Sequence, residues 1–357
     1  MRVAVIRRSF RLDGGAETAT NAFIEAYVLA GFNVTLICES WSGDVGKNVE
    51  ICPVVSRGPR IFKLLSFEWG VQRILKRERF DFVQSHELIR GVDILRLGDG
   101  LHRVWFKRLQ RLKTGKLTRF FVRISPFHLL KLKLEKDSIY DKRLKAIIVN
   151  SSMVKTEITE IYPLADEKTA VVRNAISRSF YSGASRCVID RKSEELKLLF
   201  VGSGWRRKGL MLLFQSLRGL ELSWSLTIVG HDKAINWYKK QTRILGISDQ
   251  VIFSGVLKMD EAIYRQYSVT VIPSVYDPFP NVASESLVSG VPVITSKFTG
   301  VVDYRECAGV YVFENGIELV RILSAFCKSP QVPDRNFFRH EFSNLRLVEK
   351  ISEMTAL

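Results

Sequence analysis

Tyr276-Asp277-Pro278-Phe279-Pro280-Asn281-Val282-Ala283-Ser284-Glu285, continued by Ser286-Leu287-Val288-Ser289-Gly290-Val291-Pro292-Val293, is the most telling stretch of the 357-residue chain. The apolar run Val269 to Ile272 before it reads as a buried strand. The part around Glu285 reads as a helix, and Val291 to Thr295 as the next strand. Strand, helix and strand at this spacing form the repeating unit of a parallel sheet. Two acids mark it: Asp277 just after the strand, and Glu285 eight positions on, inside the helix.

The same rhythm runs outward in both directions. Leu198 to Val201, Leu226 to Val229 and Val251 to Phe253 are further strand candidates in this half. In the first half, Val3 to Ile6, Val34 to Cys38, Phe82 to Gln84, Asp93 to Leu95 and Ala146 to Val149 repeat it, with a helix from about Glu17 to Leu29. A linker-like stretch from about Arg178 to Glu195 separates the halves. The fold class expected is α/β, with two Rossmann-like domains facing each other across a cleft. Residues 1–177 form the first domain and 178–339 the second, with a terminal helix in 340–357 packing back on the first. Chains of this length usually divide in this way. Ligands of such sheets bind at the carboxyl ends of the strands.

A turn that exposes backbone amides at the start of this helix binds phosphate through its partial positive charge. Carboxylates beside it suit the hydroxyls of a sugar and a ribose. The segment reads equally as Asp277 capping the helix and Glu285 lying on the surface. Cations to offset the acids occur in Gly202-Ser203-Gly204-Trp205-Arg206-Arg207-Lys208-Gly209, a strand end, a turn and a basic cluster opening a helix. Arg207 and Lys208 there suit a diphosphate, whose charge grows as a glycosidic bond breaks; a solvated basic loop is the plainer alternative. Leu12-Asp13-Gly14-Gly15 after the first strand is either a turn that lets backbone approach a ligand or an ordinary capped connection. Asp99, between Gly98 and Gly100, orients or deprotonates an acceptor hydroxyl, or simply makes an Asp-Gly turn. His86 stands at a strand end, where a lone histidine is more often structural than catalytic. No DxD pair is present to hold a metal, so no metal site is expected.

Composition narrows the partners. Lysines and arginines number 54 against 37 acids, a formal charge of +17 that calls for an anionic partner. From Arg103 to Lys145 fourteen bases face three acids, interleaved with Trp105, Phe106, Phe120, Phe121 and Phe127. That pattern reads as a basic amphipathic helix pair lying on an anionic membrane, ahead of a solvated helix pair or a nucleic-acid surface, and no nucleic-acid partner is expected. Cys38, Cys52, Cys187, Cys307 and Cys327 are scattered, which suggests reduced thiols in the cytoplasm. No window is apolar enough for a spanning helix, and the N-terminus is too short in apolar residues for a signal peptide.

Taken together these segments resemble the retaining glycosyltransferases of family 4, which have the GT-B fold. The resemblance spans nearly the whole chain, and is closest to the members that add glucose to the inner-core heptose of lipopolysaccharide. It implies a hexosyltransferase, metal-independent and without a cofactor, using a UDP-sugar (UDP-glucose) and working peripherally on the cytoplasmic face of the inner membrane. Capsule, exopolysaccharide or another lipid-linked glycan is the alternative acceptor. A C2-epimerase of the same fold and a non-catalytic basic protein are the other readings. The resemblance implies that Glu285 binds the ribose and that Asp277, where the family usually has glutamate, lies near the donor sugar. It places the backbone of Asn281 and Val282, with Arg207 and Lys208, on the diphosphate. It assigns Gly15 to the phosphate or donor sugar and Asp99 to the acceptor.

Overall fold

The computed structural model describes residues 1–8, 15–41, 48–112, 123–177, 180 and 195–355. These form two compact units, Met1–Ala175 with Ser343–Leu357, and Ile176–Phe342. The first holds β1 (Arg2–Ile6), β2 (Asn33–Cys38), β3 (Val49–Pro53), β4 (Phe82–Ser85), β5 (Ile94–Arg96), β6 (Ala146–Val149) and β7 (Thr169–Val171). They make one parallel sheet in the order β3-β2-β1-β4-β5-β6-β7. The second holds β8 (Leu196–Val201), β9 (Trp224–Val229), β10 (Val251–Gly255), β11 (Val269–Ile272), β12 (Val293–Ser296) and β13 (Val310–Phe313), parallel in the order β10-β9-β8-β11-β12-β13.

Both sheets are built from unbroken apolar runs because helices cover both faces. Val3, Ala4, Val5 and Ile6 of β1 are all fully buried, and they feed alternate side chains into two separate clusters. Such strands need no polar face. In the second unit, Leu198 and Phe200 point into one cluster with Trp205 and Phe214, while Leu199 joins Leu287, Tyr304 and Phe342 in the other. The helix Asn344–Thr355 packs on the helix Gly15–Leu29, with Leu347 and Ile351 in the same cluster as Phe23 and Tyr27.

Each strand order reverses once, between β1 and β4 and between β8 and β11. At such a point the connections leave on opposite sides and open a crevice at the strand ends. In the second unit this brings residues 202–209, which follow β8, beside residues 273–280, which follow β11. Their close approach depends on glycine. Gly209 has φ +75°, and a Cβ there would come closer to the Pro273 carbonyl oxygen than real side chains ever do. Gly209→Ala should therefore destabilise the second unit by at least about 2 kcal/mol, through both the backbone angle and the clash. A urea-unfolding midpoint equal to that of the unsubstituted chain would refute this account.

Candidate functional site

The reversal in the second unit carries the basic turn. Gly202 ends β8, its N–H donating to the Val229 carbonyl at 2.9 Å. Trp205 is fully buried beneath the turn and ties it down twice: its indole N–H donates to the Gly202 carbonyl at 2.8 Å, and its backbone N–H to Asp232 Oδ2 at 2.8 Å. Arg207 and Lys208 follow, before the helix Leu210–Leu217 begins. The bases thus precede the helix on the turn rather than opening its first turn, because Gly209 in the left-handed region stands between.

These two cations meet Asp277 on the neighbouring connection. Lys208 Nζ donates to Asp277 Oδ2 at 2.5 Å, and Arg207 Nη1 donates to the same oxygen at 3.4 Å and to the Tyr276 carbonyl at 3.1 Å. Asp277 is buried, its backbone fixed by Asp277 N–H to the Phe298 carbonyl and Gly300 N–H to the Asp277 carbonyl, each at 3.0 Å. A charge this deep is tolerable only with such partners. The capping alternative for Asp277 is overturned: Pro280 occupies the N-cap of the helix Asn281–Val288, with no side-chain cap. The helix cannot use its own first-turn amides, at Asn281 and Val282, in its internal bonds.

Glu285 sits one turn further along and is half-buried, so the surface alternative fails too. Tyr264 Oη donates to Glu285 Oε2 at 2.7 Å. Burial raises the Glu285 pKa above the usual carboxylate value, and the Tyr264 hydrogen bond partly opposes it. Reading the sequence alone gave no hint of Tyr264, which lies on a separate short helix, Glu261–Tyr264. Nor did it show how the far end of the Asn281–Val288 helix is held. Arg265 Nε donates to the Ser289 carbonyl at 3.3 Å and Arg335 Nε to the Val288 carbonyl at 3.2 Å. Both guanidiniums also bond to the buried Glu261 carboxylate, which Arg339 joins at 3.3 Å. Cations on the last carbonyls complement the negative end of the helix.

In the first unit, Gly15 is the first residue of its helix; Asp13 and Gly14 lie outside the described residues. At the strand reversal, Arg7 follows β1 and Glu87 follows β4, and they pair at 3.5 Å. His86 is buried, with Nδ1 3.0 Å from Thr20 Oγ1 and Nε2 2.7 Å from the Gln84 side-chain nitrogen. Burial, with Arg96 and Arg7 nearby, holds its pKa well below the ordinary histidine value, so it is neutral. Arg96, also buried, donates to Asn174 Oδ1 at 2.5 Å and lies over the Phe23 ring at 5.2 Å. Desolvation lowers its pKa to about 10. Asp99 is exposed on the turn that follows, and the Gly98 carbonyl is held by Asn150 Nδ2 at 2.8 Å.

The basic stretch forms helices His102–Leu112 and Pro126–Ile139; residues 113–122, with Phe120 and Phe121, lie outside the described residues. The two helices are joined through the fully buried Glu135, which accepts from the N–H groups of His102 and Arg103 and from Tyr162 Oη. Phe106 is buried and Phe127 half-buried, both packed against the His128 ring. Part of the aromatic content that suggested a membrane face therefore serves the unit's own packing. Among the described residues no group of three metal-ligating side chains occurs, and no helix is long and apolar enough to cross a membrane.

Two family models match the chain: Glycosyltransferase Family 4 over residues 13–180 and Glycosyl transferases group 1 over residues 184–335. The uncharacterized glycosyltransferase MJ1607 of Methanocaldococcus jannaschii is 28% identical over 181 residues, 47% of this chain and 46% of that protein, so the match spans less than half of the relative. Among solved structures, WaaG, a glycosyltransferase involved in lipopolysaccharide biosynthesis, has a TM-score of 0.75 at 18% identity, covering 99% of this chain and 97% of its own. Alr3699/HepE of Anabaena, in complex with UDP-glucose, has a TM-score of 0.73 at 15% identity, covering 100% and 99%. The chain is thus a member of the glycosyltransferases of GT-B fold, made of a family 4 domain followed by a group 1 domain.

Proposed function

We propose that this chain moves a hexose, glucose in the first instance, from a UDP-sugar to lipopolysaccharide inner-core oligosaccharide, with retained anomeric configuration. The observation that carries the reading is the convergence of Lys208, Arg207 and the start of the Asn281–Val288 helix at one strand reversal. A diphosphate placed there meets two cations and a helix dipole, all fixed before it arrives, so little reorganisation is needed as its charge grows. Lys208 and Arg207 bind its oxygens, and the amides of Asn281 and Val282 bind from the helix side. Glu285 accepts from the ribose hydroxyls, with Tyr264 fixing the carboxylate plane. Asp277 serves the sugar end and neutralises part of the cationic charge meanwhile.

In the reaction the bond from the anomeric carbon to the phosphate oxygen breaks as the acceptor oxygen bonds to the same face of that carbon. The acceptor proton passes to the leaving phosphate oxygen, so no protein nucleophile and no metal is required. Gly15 is assigned to the donor and Asp99 to the acceptor hydroxyl on the family resemblance alone. The basic stretch 103–145 and a lipid-linked acceptor support a working site on the cytoplasmic face of the inner membrane, against anionic lipid. The similarity to WaaG and to a UDP-glucose-bound structure supports this choice of donor and acceptor.

Two measurements check the donor site. Lys208→Ala should lower transfer by roughly a hundredfold or more, the loss typical of removing one fixed charge-stabilising donor, while circular dichroism stays unchanged. Near-normal transfer, followed as release of UDP from UDP-glucose, would refute its role. Glu285 offers a pH test. An acid with a raised pKa is protonated at a higher pH than an ordinary glutamate, and only its ionised form accepts from both ribose hydroxyls. UDP affinity by calorimetry should therefore fall on acidification while ordinary carboxylates are still ionised. Glu285→Gln should bind more weakly and lose that pH dependence; an unchanged profile would remove Glu285 from the ribose.

A further inference from the structure

The helix Arg60–Arg77 turns one face to the first unit's core and leaves a different face bare. Leu64, Phe67, Glu68 and Val71 are buried. Phe62, Leu65 and Trp69 are 63%, 41% and 66% exposed, and with Arg73 they follow a helical stripe at intervals of three, four and four residues. Two large aromatic side chains in water on one stripe are uneconomical for a protein surface that has no partner.

The surroundings of the stripe say what covers it. From Arg57 to Arg77 there are six bases (Arg57, Arg60, Lys63, Arg73, Lys76 and Arg77) and one acid, Glu68, which is buried and paired with Arg90 at 3.1 Å. Among the described residues, Lys63 meets an acid from outside the helix, Glu39 at 3.6 Å. Arg73 lies over the Trp69 ring at 5.6 Å, and Arg60 over Phe127 at 3.7 Å. The second contact ties the beginning of this helix, in line with its buried face, to the helix Pro126–Ile139. An apolar centre with a rim of cations, in a segment whose one acid is buried, matches a bilayer with anionic headgroups: rings enter the acyl boundary, and guanidiniums and ammoniums stay at the phosphates.

We propose that the Phe62/Leu65/Trp69 face of this helix is the first unit's docking surface for an anionic lipid bilayer. The proposal rests on the membrane partner proposed above and moves its centre from the basic stretch 103–145 to a helix outside it.

The test is co-sedimentation of the full chain with vesicles of phosphatidylcholine alone or mixed with phosphatidylglycerol, at low and high salt, with UDP affinity measured on the same preparations. The unsubstituted chain should partition onto the mixed vesicles and be released by salt. The double variant Phe62→Ser/Trp69→Ser should partition roughly tenfold less or weaker still, from the lost burial of two aromatic side chains, with unchanged thermal midpoint and UDP affinity. Undiminished binding by the double variant overturns the proposal while leaving a membrane partner in place. No binding of the unsubstituted chain to either vesicle overturns both. Equal binding to neutral vesicles, or a dimer that the double variant dissociates without any lipid binding, also overturns it. UDP affinity reports separately on the donor site, so its loss would not be mistaken for loss of docking.

Discussion

Everything specific about the second unit depends on keeping two cations and one carboxylate together at a strand reversal. Lys208 and Arg207 come from one connection and Asp277 from another, and the β8–β11 adjacency brings them together. Burying Asp277 alone would be costly, as would leaving Lys208 without an acid. Each therefore holds the other's loop in place, and the surplus of one positive charge remains. This gives a preorganised cationic site whose geometry is set by the sheet rather than by flexible side chains. Trp205 reinforces it from below by anchoring the same turn to the loop after β9 through Asp232.

The helix Asn281–Val288 faces a complementary demand at its two ends. Its start has no side-chain cap, and Pro280 supplies only a fixed backbone angle. An uncapped start gives up stability. The far end offsets this with Arg265 and Arg335 on the last carbonyls, themselves fastened to Glu261. The small side chains Ala283, Ser284 and Ser286 are buried against the sheet and let the helix approach closely, with Ser286 Oγ 2.8 Å from Thr270 Oγ1. One end goes without a side-chain cap while the other is held by two arginines.

Much of the architecture was legible in local pattern, since fully buried parallel strands show as apolar runs: Ala146–Val149 and Val269–Ile272 begin and end where the runs do. The edges were harder. Val49–Pro53 is mostly exposed or half-exposed and Thr169–Val171 is three residues long, so neither makes an apolar run distinct from its surroundings. In the candidate site, the residue types and their proximity along the chain could be read directly. Contacts across connections could not: Tyr264 on Glu285, or Asp277 as partner to the bases rather than helix cap, depend on strand order. The first unit's stretch 103–145 was read by counting charges and rings. Counting cannot tell that Phe106 packs inward, or that Phe62 and Trp69 stand exposed on the earlier helix Arg60–Arg77.

The positive charge of this chain thus falls into two physically different populations. In the second unit, Arg207 and Lys208 are paired at close range in partly dry surroundings, where added salt screens little and geometry decides the interaction. In the first unit, Arg57, Lys76, Arg77, Lys133 and Lys136 project into solvent, where screening over about 8 Å at physiological ionic strength makes each weak alone. Weak charges become a binding device only when they act together on an extended anionic surface beside buried apolar area. Strong, fixed charges suit a small anion that must be held to within fractions of an ångström. The net charge of +17 is therefore divided by burial into two kinds, one suited to a diphosphate and the other to a surface.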